Sequence, residues 1–131
     1  MKAYAVALLA VALLVEPALA QHRDEGEGDG AFRRAQVYRE IGQPALAAHW
    51  LEVAAGRGMP EAMFLLAVML LEGEGVARDE AQARRWLELA TQLDYPEAWQ
   101  QLGMMEKDPE KAAQYMRRAA HALTHRAEGK R

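Results

Sequence analysis

The chain has 131 residues, of which 51% are apolar, and its 16 Lys and Arg stand against 19 Asp and Glu for a formal charge of -3 at pH 7. That gives room for one small domain with a helical core, and the charge is too small and of the wrong sign for a dedicated nucleic-acid binder. The chain holds no cysteine and no serine, which excludes disulfides, thiolate metal sites, lipid on an N-terminal cysteine, and thiol or serine nucleophiles.

Met1 and Lys2 open the chain with a positive charge, residues 3–15 are an unbroken apolar run, and Ala18-Leu19-Ala20 follows Pro17 as a small-x-small cleavage pattern. This reads as a secretory signal peptide over residues 1–20, with a mature chain that begins at Gln21. The run falls short of the roughly 20 residues that span a bilayer, so no stable membrane anchor is expected after cleavage. Removing it takes away only Lys2 and Glu16 among charged residues, and the net charge stays at -3. Residues 21–30, QHRDEGEGDG, are acidic and Gly-rich without a large apolar side chain, and they read as a flexible, disordered leader. His22 falls second in the mature chain, where amine–histidine copper chelation is not expected, and it reads as a solvated tail residue.

From residue 31 to about 127 the sequence repeats itself. Met59-Pro60-Glu61-Ala62 returns as Tyr95-Pro96-Glu97-Ala98, and Trp50-Leu51-Glu52-Val53-Ala54 returns as Trp86-Leu87-Glu88-Leu89-Ala90, both at an offset of 36. A degraded third copy carries Tyr115 in the tryptophan place, 29 residues after Trp86. Each unit reads as two helices. Ala83, Trp86, Leu87 and Ala90 make one buried stripe, with Arg84, Arg85 and Glu88 opposite. Asp79 is placed to cap that helix, and Pro60, Pro96 and Pro109 mark helix starts. Alanines at 47, 54, 83, 90, 98 and 112 let helix axes approach, with Trp50, Trp86 and Tyr115 expected to fill the gaps between pairs. The expectation is an all-α chain of about three antiparallel helix pairs, with residues 128–131 as a basic tail.

The stretch from Leu66 through Gly73-Glu74-Gly75-Val76 to Asp79, followed by Ala83, Trp86 and Ala90, resembles a Sel1-like repeat: L-G-x-x-Y-x-x-G-x-G-V-x-x-D, then A-x-x-W-x-x-x-A-A. Ala67 and Leu70 depart from its glycine and tyrosine, Asp94 from a further glycine, and the next unit keeps Leu102-Gly103 but has Glu106 at the tyrosine place. The resemblance implies an α/α superhelix related to tetratricopeptide arrays, working as a periplasmic or secreted adaptor for a protein partner. Some bacterial members look like immunity proteins for secreted toxins. An alternative from another class is a regulatory subunit of an envelope enzyme acting on cell-wall polymer.

In such arrays the first helices line the concave face. This places Glu61, Phe64, Val68 and Leu71 of the central unit, and Glu97, Gln100, Met104 and Lys107 of the next, as the partner-binding positions. Phe64, Val68 and Leu71 form an apolar stripe beside the core stripe of Met63, Leu66, Ala67 and Leu70. Two accounts fit it: a neighbouring helix buries both stripes, or an exposed groove receives a peptide, aided by Met69, Met104 and Met105.

Catalytic constellations are missing. There is no His-Glu-x-x-His and no phosphate-binding Gly-rich loop, so no enzyme activity and no cofactor are expected. His121 and His125 stand one helical turn apart and have the spacing to share a metal, but without an evident third ligand they read as a solvated face. The basic stretch with Arg117, Arg118, His121, His125, Arg126, Lys130 and Arg131 reads as a capping helix with a wet outer face, the alternative being weak attachment to anionic lipid or polymer.

Overall fold

A computed structural model of the protein describes residues 26–130. The expected signal peptide, leader residues 21–25 and Arg131 lie outside the described residues. Six helices follow one another: α1 Glu27–Glu40, α2 Pro44–Gly56, α3 Pro60–Glu72, α4 Glu80–Gln92, α5 Pro96–Met105 and α6 Pro109–Glu128. They form three hairpins, α1/α2, α3/α4 and α5/α6, and each helix packs chiefly on the helices next to it in the chain. No strand occurs among the described residues.

The helix starts follow from backbone chemistry. Proline occupies the first helical position of α2, α3, α5 and α6, where a missing N–H costs nothing. Asp79 caps α4 by accepting the Gln82 N–H at 3.0 Å, and Asp108 caps α6 by accepting the Glu110 N–H at 3.0 Å. α1 begins without a side-chain cap. It nevertheless takes in residues 27–30, which composition had assigned to the disordered leader. Glu27 and Asp29 suit the positive end of the helix dipole. Glu27 also pairs with Arg57 just past α2, and Gly28 lies beside the Arg57 side chain. A tertiary contact thus orders a stretch that is a poor helix former by itself. At the other end α6 runs to Glu128, one residue past the expected domain boundary.

The repeat is visible in what is buried. Ala47, Leu51 and Ala54 of α2 and their counterparts Ala83, Leu87 and Ala90 of α4 are all 0% exposed. The first helices match as well, with Ala62 and Leu66 of α3 answered by Ala98 and Leu102 of α5. Trp50, Trp86 and Tyr115 are half-buried and pack against this core from its margin. The closest axis-to-axis contacts are therefore made by alanine and leucine, and the aromatics cover the seams instead of filling the deepest hollows. In the third unit Ala119 is buried, but Met116, at the place of Leu87, is 41% exposed because no described helix packs over it. Gly103 faces this methionine, and a Cβ there would come within 2.8 Å of the Met116 methyl carbon.

The loop between α3 and α4 explains its two glycines. Gly73 ends α3 in the left-handed region at φ 70, and the N–H groups of Gly73 and Glu74 both donate to the Met69 carbonyl, at 2.8 and 3.0 Å. Gly75, at φ 72, presses its α-carbon onto the backbone of Pro44 and Ala45 at the start of α2. One glycine stops the helix, and the other seats the loop on the preceding hairpin. Asp79 then donates its N–H back to the Leu70 carbonyl at 3.0 Å, closing the loop.

Asp94 takes a left-handed backbone, φ 55, at the place where the preceding unit has Gly58 at φ 85. Non-glycine residues are strained there, aspartate less than most. Asp94→Gly is expected to raise unfolding free energy by about 0.5 kcal/mol, the relief of strain outweighing glycine's greater freedom in the unfolded chain. A urea midpoint equal to or below that of the parent would contradict this account.

Candidate interaction surface

Seven of the eight expected partner-binding positions lie on α3 and α5, and the eighth, Lys107, lies in the turn after α5. Glu61, Gln100, Met104 and Lys107 are exposed, whereas Phe64, Val68, Leu71 and Glu97 are half-buried. Burial is thus the better account of the α3 stripe: Phe64 and Leu71 pack against the core, and the Phe64 ring meets the Tyr95 ring at 5.6 Å. The expected methionine lining also divides. Met69 is 4% exposed and belongs to the core, whereas Met104, at 67%, is the most exposed large apolar side chain among the described residues. The more open positions are therefore Gln100 and Met104, one turn apart on α5, with Lys107 following in the turn beyond the helix end.

Glu97 is committed to the fold. Its two carboxylate oxygens accept from the Arg126 guanidinium at 2.9 and 3.3 Å, tying the start of α5 to the end of α6. Partial burial works against its charge, yet the hydrogen bond and positive charge of Arg126, with a backbone hydrogen bond, hold its carboxyl below the ordinary value. Arg126 also lies 5.9 Å from the centre of the Tyr95 ring. Burial, then the charges of Glu97 and Glu61, push the Tyr95 phenol up against the opposing influence of Arg126. This clamp joins residues 29 apart in sequence, which no helical spacing reveals.

Two aromatic and basic clusters at the ends of the array lie outside the expected set. Arg34 of α1 sits 4.6 Å over the Trp50 ring, beside the exposed Val37. Arg118 of α6 sits 5.0 Å over Trp99, whose ring centre is 5.8 Å from that of Tyr115. The sequence signal available for them was the tryptophan count alone, since each arginine belongs to the neighbouring helix.

The remaining repeat-core positions stand as follows. Ala54, Ala83 and Ala90 are sealed, Leu66 and Leu102 are buried, Gly103 is buried, and Gly73 and Gly75 lie exposed in their loop. Ala67 and Leu70 are buried as well, so their departure from glycine and tyrosine is absorbed inside the hairpin. Glu106 uses its carboxylate to accept the N–H groups of Lys107 and Asp108, at 3.0 and 3.3 Å, in the turn that joins α5 to α6. It also lies 3.7 Å from Arg84 of α4. Glu106 thus organises the shorter turn from the place where the family pattern has tyrosine and the central unit has the buried Leu70.

The Sel1 repeat pattern matches residues 38–59, 60–95 and 99–122. The central match begins at Pro60 and ends at Tyr95, enclosing the α3/α4 hairpin and its glycine loop. The chain belongs to the Sel1 repeat family. Among solved structures, a Sel1 repeat protein from Oxalobacter formigenes is 27% identical, with a TM-score of 0.65 over 72% of this chain and 43% of the other. A protective antigen of uropathogenic Escherichia coli strains that displays an SLR fold is 26% identical, with a TM-score of 0.68 over 76% of this chain and 24% of the other. The chain thus spans less than half the length of either. No curated protein matches it. Sel1 repeats are generally protein–protein interaction modules, and no helix among the described residues is long and apolar enough to cross a membrane.

Proposed function

We propose that this Sel1 repeat protein is an exported scaffold, periplasmic or secreted, that holds a partner protein on the concave face of its three hairpins. The observation that carries the reading is the open end of α5: Gln100 and Met104 project from a helix whose other side is locked into the core by Ala98 and Leu102, and Lys107 is exposed in the turn that follows. A rigid helix presenting one flexible apolar side chain between polar ones suits recognition of another protein's surface. Val68 on α3, at the position equivalent to Met104, extends the row toward the central hairpin. The small-x-small pattern before Gln21 supports export.

A photocrosslinker placed at residue 100, followed by mass identification of what it attaches, tests this reading in the producing cell. One defined partner, found in the envelope or medium with a scaffold chain that starts at Gln21, is expected. Val68→Asp and Met104→Asp should each lower its capture at least about tenfold while leaving the helical circular dichroism intact. Undiminished capture in both variants would move the binding surface elsewhere.

A further inference from the structure

The last helix holds a pair of side chains that neither the repeat packing nor the proposed binding row uses. His121 and His125 of α6 turn their rings toward each other, with Nε2 of one 3.1 Å from Nε2 of the other. The rings are nearly perpendicular, at 86°, with centroids 4.4 Å apart. We propose that His121 and His125 together bind a divalent transition-metal cation of the nickel, copper and zinc group on the outer face of α6.

Several observations lead there. Two imidazole nitrogens brought together on one exposed helix face are the donor type these cations prefer, whereas magnesium and calcium take oxygen ligands. A cation about 2.05 Å from each nitrogen would see the observed 3.1 Å separation at an angle of about 98°. That lies between the right angle of a square or octahedral site and the tetrahedral angle, a range these cations accept. The Glu128 carboxylate lies 3.8 Å from Nδ1 of His125, the ring nitrogen that does not face His121. A negative charge there favours the proton on Nδ1 and leaves the Nε2 lone pair free, as carboxylates near metal-bound histidines do. A direct hydrogen bond between the rings also satisfies the distance, but in water it contributes little and requires complementary tautomers.

The surroundings set the strength of the site. Arg117, Arg118 and Arg126 lie on the same helix within two turns and repel a dication. Among the described residues no group of three or more His, Asp or Glu is placed to hold a metal. The described residues therefore supply two ligands, and water or a group from a bound molecule completes the coordination. The pair differs from the sequence expectation of a merely wet face because its Nε2 atoms meet at 3.1 Å, which spacing alone does not establish.

The test uses the full mature chain at pH 7.5 with Ni²⁺, Zn²⁺ and Cu²⁺ chlorides in turn, followed by calorimetric titration and thermal melting. One-site binding and a cation-dependent rise in Tm are expected for at least one of the three, because a bridge across one helical turn stabilises α6. His121→Ala and His125→Ala should each weaken binding at least about tenfold and remove the Tm rise. Neither change disturbs the core, since both residues are exposed, and His22→Ala and His49→Ala should bind as the parent does. Affinity unchanged in the α6 variants, binding abolished by His22→Ala, or no binding of any of the three cations would each overturn the assignment.

Discussion

Gly75→Ala is expected to lower the free energy of unfolding by about 3 kcal/mol, whereas Gly42→Ala should lose only about 1 kcal/mol. Both glycines have positive φ, 72 and 73, so both substitutions incur the left-handed strain of an L-residue. Only Gly75 adds a steric conflict, because its Cβ would run into the carbonyl group of Pro44 and the nitrogen of Ala45, and backbone cannot rotate away as a side chain can. At Gly42 a Cβ meets nothing within 4 Å. Urea denaturation of the two variants isolates the cost of the contact between hairpins. Equal losses would mean that the α3/α4 loop does not rest on the first hairpin.

The second large effect concerns the sealed leucines. Leu87→Ala is expected to cost about 3 kcal/mol, within the range for a buried leucine whose surroundings relax only partly. Leu87 is 0% exposed and lies one turn from Ala83 and Ala90, which are themselves sealed, so truncation leaves a cavity in a close-packed core that water does not reach. Met116→Ala, at the equivalent place in the third unit, should cost less than about 1 kcal/mol, because that side chain is 41% exposed and water already reaches it. Chemical denaturation with a shared m-value reads both. A loss at Met116 as large as that at Leu87 would show that something covers the third hairpin.

Much of this architecture was legible in the residues themselves. The 36-residue offset marked α2 and α4, and α3 and α5, as equivalent helices, and the buried sets repeat at that spacing down to Leu66 and Leu102. Local rules also held where the physics is local, as in the prolines at helix starts and the Asp79 cap. Legibility failed where one helix acts on another. Glu27 to Gly30 looked unstructured by composition, yet contact with Arg57 brings them into α1. Phe64 and Leu71 looked like candidates for an open groove, but Tyr95 and the neighbouring helices cover them. Glu97 looked free until Arg126 reached it from the far end of α6. Each depends on a partner whose distance in sequence is set by loop lengths, and the loops are what vary between units.

The packing of every helix chiefly on its sequence neighbours has a mechanical consequence. With no strand or disulfide bridging the first described hairpin to the last, tension applied at the two termini finds no single fastener that must break before the rest. Resistance is shared in series by the interhelical seams, and the chain should lengthen in discrete steps, each the release of one hairpin. The same serial layout lets thermal fraying begin at either extremity while the α3/α4 hairpin, supported on both sides, stays closed longest.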